Sequence, residues 1–134
     1  MPKEARGINE KTGLSGAEHQ KAEQRAAIDA QTSAAILAGF SYEVEGEALH
    51  FSYDSFDQQN FSDTANACLM YKSGAKRLPE SVTWNAYKAD GELVRLSFTA
   101  DAFLTLYANA LGHKAACMAE GGAAKAALEA GEQA

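Results

Sequence analysis

The chain has 134 residues, enough for one domain that buries about two thirds of its unfolded surface, and is 46% hydrophobic and 22% charged, an ordinary composition for a globular protein. A net charge of -6 disfavours nucleic acid as a partner, because phosphate binders present a basic face, and no apolar run approaches the ~20 residues of a membrane span. The opening MPKEARGINEKTG has no apolar stretch behind its charges, so we expect no secretory signal, a cytoplasmic origin and no membrane partner.

The charge is unevenly spread. Residues 43–63 hold Glu43, Glu45, Glu47, Asp54, Asp57 and Asp63 without a Lys or Arg, while elsewhere twelve acids match twelve bases. The segment reads as a solvated edge, or as a docking surface on which charge would speed association with a basic partner. Cys68 and Cys117 are the only cysteines and lack CxxC spacing. Both fall on apolar helical stretches, where a reduced cysteine packs as a small hydrophobe; a disulfide requires two helices to bring them together.

Residues 1–14 mix charge with Gly7 and Gly13 and show no periodicity, which predicts a mobile arm ahead of a single domain over residues 15–134. Ser15 and Glu18 fit a capping box for a helix running to about Ala38 and stopping at Gly39. Arg25 and Asp29, four apart, can pair on its exposed side. Its apolar side is mostly alanine until Ile28, Ile36 and Leu37, so it either projects from the domain or packs against another copy, a route to a homo-oligomer.

FSYEVEGEALHFSY then reads as a hairpin. Taking Gly46-Glu47 as a type II′ turn sets Phe40 opposite Tyr53, Tyr42 opposite Phe51 and Val44 opposite Leu49 on one side. Ser41, Glu43, His50 and Ser52 occupy the other, with His50 facing Glu43. A one-residue slip would mix these faces. Ser55 with Gln58 suggests a cap for a helix through Phe61, Ala65, Cys68 and Leu69, ending near Gly74, followed by the loop SGAKRLPE.

In the second hairpin a two-residue loop at Asp90-Gly91 would scramble the faces. The three-residue loop Ala89-Asp90-Gly91 pairs Val82 with Phe98, Trp84 with Leu96 and Ala86 with Val94, sets Lys88 opposite Glu92, and leaves Gly91 left-handed as a bulge. Thr99 is a fitting N-cap and Asp101 complements the helix dipole. Phe103, Leu106, Tyr107, Ala110, Leu111, Cys117 and Met118 recur at helical spacing, and Gly121-Gly122 weakens the helix beyond them. The expected fold is α+β in the order α-ββ-α-ββ-α, with four antiparallel strands and helices on one face.

No constellation of residues specifies a reaction. His19, His50 and His113 lie outside any nucleophile elbow, and an exposed His50–Glu43 pair contributes only tenths of a kcal/mol. HExxH, zinc-spaced Cys/His clusters, calcium loops and phosphate loops are absent from the sequence, so no catalytic, cofactor-binding or metal residue is assigned. Asp54 and Asp57 fit the start of the second helix. Lys76 and Arg77 read as a solvated loop step, and Trp84 as a core aromatic opposite Leu96, although large aromatics also anchor interfaces.

The tryptophan strand, the turn ADGE, a strand in VRLSF, and TADAF leading into a helix with a histidine and an Ala/Cys-rich tail form an ordered set. With AILAGF, HFSYD and DSFDQQN upstream, they resemble a small domain of unknown function found in tail proteins of tailed bacteriophages and prophages. The likeness spans roughly residues 20–130, departing in the longer KSGAKRLPE loop and at Gly121-Gly122. It carries no catalytic motif. It implies a non-enzymatic structural tail component or tail-fibre assembly factor, with a phage tail or tail-fibre protein as partner. The implied setting is the host bacterial cytoplasm during assembly, or the virion tail. The alternative is a small regulatory or ligand-binding protein with a groove between sheet and helices, lined by Tyr42, Phe51 or Trp84. An enzyme would need His50 and Glu43 to meet distant residues in a cleft.

Overall fold

The structure, a computed structural model, describes residues 8–9 and 14–131, with side chains from residue 16. Two short strands, β1 (Ile8–Asn9) and β2 (Leu14–Ser15), precede α1 (Gly16–Leu37), β3 (Phe40–Val44), β4 (Glu47–Phe51), α2 (Ser55–Lys72), β5 (Ser81–Tyr87), β6 (Leu93–Thr99) and α3 (Ala100–Glu129). From α1 onward this is the expected α-ββ-α-ββ-α order, with β3-β4-β5-β6 as one antiparallel sheet. The arm expected over residues 1–14 falls mostly outside the described residues; within it, Ile8 pairs with Ser15 and Asn9 with Leu14. The Ser15 capping box lies outside the described side chains.

The chain divides into two units: Ala35–Ala116, and the residues up to Ala34 together with those from Cys117. In the first, aromatic side chains from the sheet, α2 and α3 fill one core. Phe61 of α2 is 0% exposed and lies 4.6 Å, ring centre to ring centre, from Trp84 and 5.6 Å from Phe103. Phe40 stacks on Phe51 at 5.6 Å and meets Tyr53 edge-on. Burying a ring of this size stabilises by roughly 1.5–3 kcal/mol, and edge-to-face geometry adds to it.

The second hairpin has the expected register, with Trp84 opposite Leu96 and Gly91 left-handed at φ 91°. The first hairpin is displaced by two residues: Phe40 faces Phe51, Tyr42 faces Leu49 and Val44 faces Glu47. The turn is Glu45-Gly46, with φ of 53° and 85°, the double left-handed pattern of a type I′ turn rather than the expected type II′ turn at Gly46-Glu47. Both turn types match the strand twist; the observed one places glycine second. A two-residue shift leaves every side chain on its expected face, so the hydrophobic pattern alone could not detect it.

The α2 cap is also one residue earlier than expected. Asp54, not Ser55, accepts from the Asp57 N–H at 2.8 Å, and Asp57 returns a bond to the Asp54 N–H at 3.1 Å. Gln58, expected to close the box, donates to the Tyr53 carbonyl at 3.1 Å and accepts from Lys114 at 2.9 Å. At its C-terminus, Ala75 N–H reaches the Met70 carbonyl and Gly74 N–H the Tyr71 carbonyl, both at 3.0 Å, as in a Schellman motif. Thr99 caps α3 as expected, accepting from the Ala102 N–H at 3.2 Å.

Gly39 ends α1 in the left-handed region at φ 88°, where a Cβ would stand 2.4 Å from the Phe51 carbonyl oxygen. Only glycine satisfies both conditions.

In the unit of the termini, residues of α1 and α3 meet at close range. A Cβ on Gly121 would come within 2.1 Å of Thr32 Oγ1. The Gly121-Gly122 pair is a weak point by helix propensity, yet α3 runs unbroken from Ala100 to Glu129. The absent side chain at Gly121 makes room for Thr32, and this packing opposes the roughly 1 kcal/mol helix penalty of a glycine. Arg25 and Asp29 pair with α3 rather than with each other: Arg25 with Glu129 at 2.5 Å, and Asp29 with Lys125 at 2.7 Å.

Candidate functional site

The sheet is two hairpins joined at a single pair, His50 with Tyr87. Beyond it, the chain leaving β4 turns through Ser52 into α2, and the ladder opens. The opening is a cleft of about 370 Å³, walled by Phe56, Asp57, Asn60 and Thr64 of α2, by Thr83, Trp84, Asn85 and Tyr87 of β5, and by Ser52 and Arg95.

Local geometry determines what faces this cleft. Phe56, Asn60 and Thr64 recur at helical spacing along one side of α2. On β5, the Lys88 N–H donates to the Glu92 carbonyl at 2.9 Å. In an antiparallel ladder the bonding pairs alternate, so Ala86, Trp84 and Val82 turn their backbone groups toward β6. Tyr87, Asn85 and Thr83 turn theirs the other way. Those of Tyr87 meet His50, while those of Asn85 and Thr83 face the opening where β4 has ended.

The side chains add a mixed surface. Arg95 donates to Asn85 Oδ1 at 3.2 Å across the outer face. Burial pushes the Asp57 carboxyl above its ordinary value and the charge of Asp54 adds to this, while the bond from the Asp54 N–H opposes it. Phe56 is 74% exposed, an aromatic ring left in water at the first turn of α2. The arrangement offers backbone donors and acceptors, amide and hydroxyl groups, one carboxylate, one guanidinium and aromatic surface. Those are groups suited to binding.

The other residues weighed from sequence do not gather into one site. His50 faces Ser41 instead of Glu43, because of the hairpin shift, and Glu43 faces Ala48. His113 Nε2 lies 3.1 Å from the Ile36 carbonyl oxygen, with its ring against Phe40 and Tyr53. His19 sits 3.2 Å from Glu23 along α1. Cys68 and Cys117 form no disulfide with each other, and burial raises the pKa of Cys68, which packs as a protonated hydrophobe. Lys76 and Arg77 are exposed. Among the described residues, no group of three His, Cys, Asp or Glu could hold a metal ion, and no helix is long and apolar enough to cross a membrane.

Tyr42 and Phe51, named for a ligand groove, meet edge-on, with Phe51 completely buried. Trp84 is half-buried, tilted against Phe61 and Phe103 of the core and bordering the cleft. Sequence reasoning missed the cleft because it depends on where β4 stops relative to β5. The one legible signal was the uncharged alternation of Thr83 and Asn85 on the wet side of a strand.

No match was found to a curated protein or to a solved structure. The model of a family described as a domain of unknown function, DUF4376, matches residues 19–134. Nearly the whole chain is covered, and it belongs to the DUF4376 family.

Proposed function

We propose that this chain is a non-enzymatic phage or prophage protein, a structural tail component or tail-fibre assembly factor that acts by binding other proteins. The resemblance of VTWNAYKADGELVRLSFTADAF and its upstream partners to tail-associated domains supplies the setting. The observation that carries the binding reading is the cleft at the open sheet edge, with Phe56 held in water beside unpaired strand positions. Exposed aromatic surface beside a polar rim is typical of protein contact sites. Self-association through α1 belongs to the same proposal.

Deleting the gene from its phage or prophage and imaging the particles tests this. The reading expects tails that lack a component or carry fewer fibres, restored by supplying the protein. Normal particles in normal number would overturn it.

The second reading, a small regulatory or ligand-binding protein, draws on Trp84 at the cleft. It places the ligand beside Trp84, since Phe51 is sealed in the core. A shift in Trp84 fluorescence on titration with small metabolites, together with calorimetric binding of the same metabolite that is lost when Asn60→Trp fills the cleft, would favour it.

A further inference from the structure

Each sheet edge carries a different degree of protection. β3 carries Glu43 and β6 carries Arg95, charges that oppose pairing with another strand. Between Ser81 and Tyr87, β5 reads SVTWNAY, with no charge and no proline, and is rich in strand-forming residues. It counts as an inner strand, yet its neighbour pairs with it only at Tyr87. The outward backbone groups of Thr83 and Asn85 therefore form two consecutive open rungs, in a cleft whose far wall carries Asp57, Asn60 and Thr64.

We propose that this open edge of β5 takes an extended segment of a partner protein as an added strand, paired to the backbone of Thr83 and Asn85. The segment lies where β4 would have continued, antiparallel to β5, and completes the ladder that β4 leaves. Main-chain bonds supply the binding, and the walls supply the selection. Asp57 and Arg95, the charged side chains that line the cleft, offset each other and favour an uncharged segment, while Phe56 at the mouth covers an apolar side chain. The inference rests on the protein-binding reading above for the class of partner, and adds how that partner is held.

Amide exchange followed by NMR on the full chain gives the first test. In the free protein the amides of Thr83 and Asn85 should exchange rapidly between slow neighbours at Val82, Trp84 and Ala86. Slow exchange at Thr83 and Asn85 in the free protein would overturn the proposal. A displayed library of random linear peptides then serves as the probe. Selected peptides should slow exchange at Thr83 and Asn85, and Thr83→Pro should weaken them by about tenfold or more. Proline at this position removes an outward donor without breaking a β5–β6 bond. If Thr83→Pro does not fold, Asn60→Trp fills the cleft from the opposite wall and should have the same effect. A library that yields no binder, or binders that leave both amides unchanged, would overturn the proposal. Tail proteins that bind Thr83→Pro as well as the natural chain would overturn it while leaving the protein-binding reading intact. Peptides held at β5 by a chain that no tail protein binds would do the reverse.

Discussion

The unit from Ala35 to Ala116 and the unit that joins the two ends of the chain are held by different physics. The first is closed by interlocking aromatic rings, with Phe61 touching Phe40, Tyr53, Trp84, Phe103 and Tyr107. Among its described residues, the second buries one large apolar side chain, Leu128, and adds a glycine against a threonine and ion pairs whose side chains remain half in water. Salt screens the exposed pairs and leaves buried apolar contacts unscreened.

The comparison breaks most readily at Phe61. Phe61→Ala removes the ring at the centre of the aromatic set and should cost about 3–5 kcal/mol, read as a loss of denaturant stability and of amide protection throughout residues 35–116. Gly39→Ala comes next, at about 2–3 kcal/mol, because the new methyl meets the Phe51 carbonyl oxygen at a left-handed position. A melting temperature within a degree of the natural chain would refute that account of Gly39.

The terminal unit sharpens the contrast through neighbouring glycines. A methyl on Gly122 would meet open space, so Gly122→Ala should stabilise by about 1 kcal/mol. Gly121→Ala gains the same helix propensity but pushes Thr32 aside, and should fall clearly short of that gain. Equal effects at both positions would remove the close approach from the explanation. The smallest change is expected at Arg25→Ala: under about 1 kcal/mol at low salt, and nothing measurable at high salt, since its pair with Glu129 is solvent-exposed.

Several features were legible from sequence because one physical rule dominated each. Alternation around Ala89-Asp90-Gly91 allowed one register that kept Trp84, Leu96 and Phe98 on a single face. Thr99 and Gly39 are positions where the cap chemistry is unambiguous. At Glu45-Gly46 two turns preserved the same faces, so pattern could not choose between them; the observed turn is type I′, with glycine in its second position. Asp54 took the cap from Ser55 because both are good capping residues and Asp57, not Gln58, completed the box. Arg25 and Asp29 found partners on α3, since a local pair contributes only tenths of a kcal/mol and yields to tertiary geometry. The cleft was least legible. It arises from a ladder that stops, and no residue type encodes where two strands part.

The measurement that bears most directly on the proposed function is the solution mass of the purified chain, alone and mixed in turn with the products of its neighbouring genes. The account predicts a stable complex of added mass with one of them. A chain that keeps its own mass in every mixture would contradict it.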